Sequence, residues 1–276
     1  MYIISILTFI LNIILLLTIV INYLFMIYFS KLLILLNINN YKIISFVSFM
    51  LNSNINLMSK LSLFSDVNYK KLNLNGKKII INCNHIGEVD DLLVLIILKK
   101  IIPNFNFRYV KSISCVTTKL EEEIFNNYGC IIINKDLHIS EIEKKIDVLI
   151  NNNQMNQLIL FFEGAARNNY NNCMKKRVNI DLINLDYPKT SLFDLLSKKK
   201  YFDYIVDVNV IYHNNNKILN KKTNIIEFLN YNSKAKVKIN LYKLPNNNYE
   251  EWLLKLFQKK DIELEYMKKD IVNINI

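Results

Sequence analysis

The first 30 residues of this chain contain no charged side chain; all 35 Lys+Arg and all 24 Asp+Glu lie beyond them. Glycine (4), proline (3) and histidine (3) are also scarce. So little Gly and Pro excludes a collagen-like or low-complexity chain. The 4 cysteines, Cys83, Cys115, Cys130 and Cys173, are scattered and form no C-x-x-C pair. That spacing argues against a zinc site and a disulfide framework, and fits a reducing compartment. No helix-turn-helix, zinc knuckle or aromatic–basic platform accompanies the net charge of +11. A nucleic-acid partner is therefore not expected.

The uncharged start can do one thing well. From Ile3 to Tyr28 it is a continuous apolar segment, and about 20 such residues in a helix cross a bilayer core. A secretory signal would instead show a basic start, a shorter apolar core and a small-residue cleavage site. None of these is present, so an uncleaved anchor is expected. Lys31, Lys42, Lys60, Lys70 and Lys71 follow the span and no basic residue precedes it, which places the body of the protein on the cytosolic side. Ile43 to Leu51 is apolar but too short to cross; it either lies in the interface or completes a helical hairpin. Residues 1–60 thus read as an N-terminal membrane anchor, with its span at about 3–28, and 61–276 as the second unit. The excess of lysine suits the bilayer's anionic head groups or a phosphate-bearing substrate, and a solvated lysine-rich face accounts for part of it.

Beyond the anchor, strand-like and helix-like stretches alternate. Ile79–Asn82 is strand-like and Asp91–Lys100 a buried helix that stops near Pro103. Phe105–Val110 is a strand, and Thr118-x-x-Glu121 a capping box for a helix to Tyr128. Cys130–Ile133 is a strand, and Ser140-x-x-Glu143 caps an amphipathic helix to Ile150. Leu158–Phe162 is a strand ending at Glu163. Alternation of this kind implies crossover connections, hence an α/β fold with a mixed, largely parallel sheet flanked by helices. Ligands of such sheets sit beyond the carboxyl ends of the strands. His85, Lys111, Lys135 and Glu163 each stand just past an expected strand end, so all four are expected at one edge.

The segment Ile79-Ile80-Ile81-Asn82-Cys83-Asn84-His85-Ile86-Gly87-Glu88-Val89-Asp90 concentrates the chemistry. Residues five apart do not share a helix face. His85 and Asp90 can meet only if His85 lies in a loop and Asp90 in the first helical turn, where the helix dipole favours a carboxylate. A carboxylate on one imidazole nitrogen fixes the tautomer and leaves the other nitrogen as a base. A cap and an ordinary polar loop would give the same local pattern. Three of the 4 glycines, Gly87, Gly129 and Gly164, fall where strand-like runs break, allowing tight turns or close approach of a ligand.

Asn84-His85-x-x-x-x-Asp90 resembles the first motif of the glycerolipid acyltransferases, the family of glycerol-3-phosphate and 1-acylglycerol-3-phosphate acyltransferases. Gly129-Cys130-Ile131-Ile132-Ile133-Asn134-Lys135 resembles the second motif, with Lys135 in place of the arginine that holds the acceptor's phosphate. Phe161-Phe162-Glu163-Gly164-Ala165-Ala166-Arg167 resembles the third, matching at Glu163 and Gly164. There Phe162 replaces proline, Ala165 threonine and Ala166 arginine, and Arg167 follows one position late. Tyr187-Pro188-Lys189-Thr190-Ser191-Leu192-Phe193 resembles the fourth block. Tyr204 to Tyr212 and Trp252-Leu253-Leu254 are similar to the long-chain lysophospholipid acyltransferase branch. The similarity covers roughly residues 75 to 265.

The resemblance implies a glycerol-3-phosphate acyltransferase-like fold and a role for 61–276 as the acyltransferase domain. It implies transfer from acyl-CoA to the free hydroxyl of a lysophospholipid, at the endoplasmic reticulum membrane. His85 would be the base and Asp90 its orienter, with backbone N–H groups after Asn84, helped by Gly87, facing the oxyanion. Lys111, Lys135, Arg167 and Lys189 would bind phosphates, and Glu163 an acceptor hydroxyl or Lys135. No metal or cofactor is called for beyond the co-substrate acyl-CoA. The expected acceptor is 1-acyl-glycerol-3-phosphate. Lysophosphatidylinositol or lysocardiolipin is the alternative acceptor, and a non-catalytic lipid-binding relative the alternative function. A hydrolase is a further option, disfavoured because no serine sits in a nucleophile elbow. His138 and His213 lie outside any motif.

Overall fold

A computed structural model describes residues 2–38, 76–86, 90–102, 107–112, 130–133, 139–152, 155–163, 174–175, 180–214, 217–219 and 234–273, with single positions between 42 and 74 and between 119 and 126. The chain opens with α1 (Tyr2–Leu35) and continues β1 (Ile79–Cys83), α2 (Asp90–Ile101), β2 (Phe107–Ser112), β3 (Ile131–Ile133), α3 (Ile139–Asn151), β4 (Gln157–Leu160), α4 (Thr190–Lys198), β5 (Tyr204–Asn214), β6 (Lys217–Ile218), β7 (Lys234–Lys243) and α5 (Tyr249–Asn273). The sheet runs β3-β2-β4-β1-β5-β6, with β7 also on β5. β3, β2, β4, β1 and β5 are parallel, and β6 and β7 pair antiparallel to β5. The α/β expectation holds, as a mostly parallel mixed sheet.

Strand alternation divides the core into two layers. Ile79, Ile81, Cys83, Ile159, Val206, Val208, Val210 and Tyr212 face α2 and α1. Ile80, Leu158, Leu160, Ile205 and Ile211 face the other side, against Ile142 and Ile146 of α3, Phe193 and Leu196 of α4 and Leu253, Phe257 and Leu264 of α5. Strands buried on both faces explain why β1 and β5 read as near-continuous apolar runs. Trp252 stacks on Phe193 at 5.6 Å and ties α5 to α4.

The topology opens a crevice beside β1. After β1 the chain crosses to β2, with α2 on one face; after β4 it crosses to β5, with α4 on the opposite face. β1 and β4 are neighbours. Their connections therefore diverge at the carboxyl edge, which is where open α/β sheets place ligands.

Helix α1 has 34 residues and reaches about 50 Å. Within it Ile13–Leu35 is long and apolar enough to cross a membrane, and 18% of that stretch's apolar window is buried. That stretch overlaps the expected 3–28 and includes Lys31. Ile19, Met26 and Ser30 are buried, whereas Leu17, Ile21, Leu24, Tyr28, Leu32 and Leu35 are exposed. Helical residues between 42 and 57 pack beside it: Ile43, Val47 and Met50 join the core, and Phe46 meets Phe29 at 4.9 Å. The short apolar stretch is thus partly committed to the domain.

Several boundaries differ from expectation. Ser140 lies inside α3, whose first residue is Ile139, so it is not the cap. β4 stops at Leu160, two residues early, because Phe161–Glu163 turn towards β1. Thr118, Glu121 and Gly129 lie outside the described residues.

Candidate active site

β1 ends at Cys83, and Asn84, His85 and Ile86 form the loop that leads to α2. Asp90 is the first residue of α2. The pair therefore meets as the spacing requires, His85 in the loop and Asp90 at the helix start: His85 Nδ1 lies 3.1 Å from Asp90 Oδ2. The Asp90 side chain is fully buried, while that of His85 is 47% exposed. One ring nitrogen is thus bound to a buried carboxylate and the ring still reaches solvent.

Asp90 is held from two further directions. The Ile86 N–H donates to Oδ2 at 2.5 Å, and the Tyr212 hydroxyl donates to Oδ1 at 2.7 Å. Cys83 sits directly behind, its thiol pushed well above the ordinary range, first by burial and then by the charge of Asp90. A neutral, buried thiol is a poor nucleophile.

Glu163 holds two backbone amides. It is buried, and its carboxylate accepts the His85 N–H at 3.1 Å and the Asp186 N–H at 3.3 Å. Through these it clasps the histidine loop to the segment before α4. With the His85 and Ile86 amides both donating to carboxylates, neither remains for an oxyanion. Phe161 packs its ring 5.0 Å from that of His85 and closes one side.

Asn84 is also structural. Its carboxamide donates to Val210 O at 2.9 Å and accepts from Val210 N at 2.8 Å. It extends the β1–β5 ladder past Cys83↔Val208 with a side chain, freeing the backbone to turn. Asn84→Ala would leave two buried backbone groups unpaired, so a loss of about 2–4 kcal/mol is expected in thermal or urea unfolding. A loss under half a kilocalorie would mean water replaces the amide.

Lys111 lies within β2, one residue before its end, and not past it. Its ammonium sits over the Tyr109 ring at 5.2 Å and the Phe125 ring at 5.7 Å. Lys189 is the N-cap residue of α4, and its N–H donates to Phe162 O at 2.8 Å. The two lysines line one cavity of about 380 Å³, with Phe161, Leu160, Ile142 and Leu192 among its apolar walls. Phe161 is shared between this cavity and the histidine. A larger cavity of about 770 Å³ lies at the opposite edge of the sheet, around Asn246–Tyr249 and Lys198. It is open and holds none of the groups described here. Gly87, Lys135, Gly164, Arg167 and His138 lie outside the described residues. His213 is in β5, opposite Ile218 and Lys234.

Two groups escaped the sequence reading, both on β5: Tyr212, behind Asp90, and Asp207. Asp207 Oδ1 accepts from Lys260 Nζ and from Asn82 Nδ2, each at 2.7 Å, and Asn82 Oδ1 accepts the Phe162 N–H at 3.2 Å. The signal was a charge inside an apolar run, Asp207 within Tyr204–Tyr212 and Lys260 on the apolar stripe of α5. Among the described residues, no three His, Cys, Asp or Glu gather as a metal site would need. What the edge offers is an oriented imidazole beside an apolar cavity carrying two ammonium groups. No family model matches this chain, and no curated protein matches it.

Proposed function

We propose that this chain is a membrane-anchored acyltransferase that moves a fatty acyl group from acyl-CoA to the free hydroxyl of a lysophospholipid. The acceptor is 1-acyl-glycerol-3-phosphate and the product phosphatidic acid. The observation that carries this is the half-exposed His85 ring bound through Nδ1 to buried Asp90, on a sheet edge where two lysines line an adjoining cavity. His85 Nε2 takes the proton of the acceptor hydroxyl as the oxygen attacks the thioester carbonyl. Collapse breaks the C–S bond, and the departing CoA sulfur takes up the proton from the imidazolium. Asp90 keeps the tautomer fixed and faces the imidazolium while it exists. Attack is direct, so Cys83 forms no acyl-enzyme. The glycerol-3-phosphate acyltransferase-like arrangement accounts for the order of motifs along the sheet edge.

The exposed apolar residues of α1 support the anchor. A core helix would be covered, and this one is mostly not. On this reading α1 holds the domain on the cytosolic side of the endoplasmic reticulum membrane. A lysolipid acceptor, which partitions into bilayers, is then delivered at the site.

Lys111 and Lys189 bind the phosphates of acyl-CoA or acceptor. Replacing both with alanine is expected to raise KM for one of these about tenfold and to leave kcat within threefold, since charge-assisted contacts away from the reacting atoms act in the ground and transition states alike. A fall in kcat alone would contradict that role. The reaction itself is tested with labelled acyl-CoA and a panel of lysolipids in detergent. CoA release that requires a lysolipid supports transfer, and the preferred lysolipid identifies the acceptor among lysophosphatidate, lysophosphatidylinositol and lysocardiolipin. Release without acceptor indicates a hydrolase, and no release under any mixture indicates a lipid-binding protein.

A further inference from the structure

We propose that Tyr212 is a positioning residue that acts through Asp90: its hydroxyl holds the carboxylate oxygen turned away from His85, and so sets how strongly the other oxygen draws a proton onto the imidazole. Tyr212 lies in β5, 122 residues along the chain from Asp90, with its O–H 2.7 Å from Oδ1. It is only 2% exposed. It shares the α2 side of the sheet with Val206, Val208 and Val210 of the same strand, so the hydroxyl is delivered by a rigid strand.

Among the described residues Asp90 meets three donors: Tyr212 on Oδ1, and the Ile86 N–H and His85 Nδ1 on Oδ2. A carboxylate shielded from water is stabilised only by such donors. Removing one concentrates its charge on those that remain, and the imidazolium is the one that can gain a full opposite charge. Among the described residues, the other ionisable groups near the pair have partners or surroundings of their own. Glu163, from the turn after β4, is occupied by two backbone amides. Cys83 of β1 is kept neutral by burial and by Asp90. Asp207 of β5 and Lys260 of α5 pair with each other. Lys111 of β2 lies in the wall it shares with Phe161. Tyr212 is thus placed, by its bond to Oδ1, to tune Asp90 from the side away from His85. The consequence for rate rests on His85 being the base; the coupling itself does not.

The chain has only 3 histidines, so isotope-labelled imidazole resonances in detergent micelles report His85 directly, assigned by its loss in His85→Ala. The full chain is titrated unaltered, as Tyr212→Phe, as Asp90→Asn, and as the double variant. Tyr212→Phe is expected to raise the His85 midpoint by on the order of half a pH unit, and the change is expected to vanish in the Asp90→Asn background. An unchanged or lowered midpoint, or an equal shift without the carboxylate, overturns the proposal. A second measurement needs no change at Tyr212. A slowly exchanging, downfield hydroxyl proton in the unaltered chain that is lost in Asp90→Asn supports the proposal, and its absence counts against it. If the coupling is present and no lysolipid ever releases CoA, Tyr212 keeps its role and the transferase reading fails. If turnover is present and the coupling absent, the reverse holds.

Discussion

Replacing His85 with alanine is expected to lower lysolipid-dependent CoA release by about 10²–10⁴-fold, the range that a positioned general base contributes. An acceptor hydroxyl is a weak nucleophile until its proton has somewhere to go. In this site the group placed to take it is the imidazole, whose Nδ1 is committed to Asp90 and whose ring remains 47% exposed. The loss falls on kcat, because the lysines proposed to hold substrate phosphates stand apart in the cavity that Phe161 also lines. Folding is expected to survive. The backbone amide that ties the loop to Glu163 remains in the alanine variant, and a half-exposed ring contributes little burial. Thermal unfolding of the variant alongside its turnover separates lost chemistry from lost structure. Activity within tenfold of the parent, in protein that unfolds at the same temperature, removes His85 from the mechanism.

Local spacing carried the first half of this site and nothing beyond it. His85 and Asp90 are near neighbours in sequence, so a strand–loop–helix boundary was enough to bring them together. The partners that fix them are not near. Val210 holds Asn84 from 126 residues away, Glu163 holds the His85 amide from 78, and Tyr212 holds Asp90 from 122. No periodicity records which residue of a distant strand stands opposite a loop; register does, and register is settled by packing on both faces of the sheet. That is why the backbone contacts of Asn84 and Glu163 could not be read from their positions in the chain. A polar residue beside a sheet edge has two possible customers, substrate or chain, and the sequence shows neither.

The alternation of elements was legible for a different reason. A parallel sheet covered on both sides needs unbroken apolar strands, and β1 and β5 are such runs. Element ends were less so. The Ser140-x-x-Glu143 pattern satisfied a capping rule, yet the helix already includes Ile139. The expected apolar span ran to Tyr28, and the helix that contains it continues through Lys31 to Leu35. A single lysine late in a long apolar helix does not stop it, because the aliphatic stem covers neighbouring surface while the ammonium stays in water.

Lys260→Met is expected to destabilise the fold by about 3–5 kcal/mol, the cost of leaving a buried charge without its partner. Lys260 and Asp207 are 1% exposed each and meet at 2.7 Å. Everything that stabilises Asp207 arrives through Oδ1, from Lys260 and Asn82; Oδ2 is buried with no hydrogen-bond partner. Methionine fills much of the lysine's volume, so packing changes little and the loss is electrostatic. Adding Asp207→Asn removes the stranded charge and keeps an acceptor for Asn82, so the double variant is expected to recover at least half of the loss. The effect reaches the active edge as well. Asn82 also accepts the Phe162 N–H, and Phe162 precedes the Glu163 that clasps the His85 loop. Unfolding in detergent as a function of urea measures both variants. A loss below about 1 kcal/mol for Lys260→Met would mean that water reaches Asp207 and supplies what the ammonium gave. A double variant no more stable than the single would mean that the lysine's contact with Val208 O, and not charge balance, is what α5 contributes beneath the site.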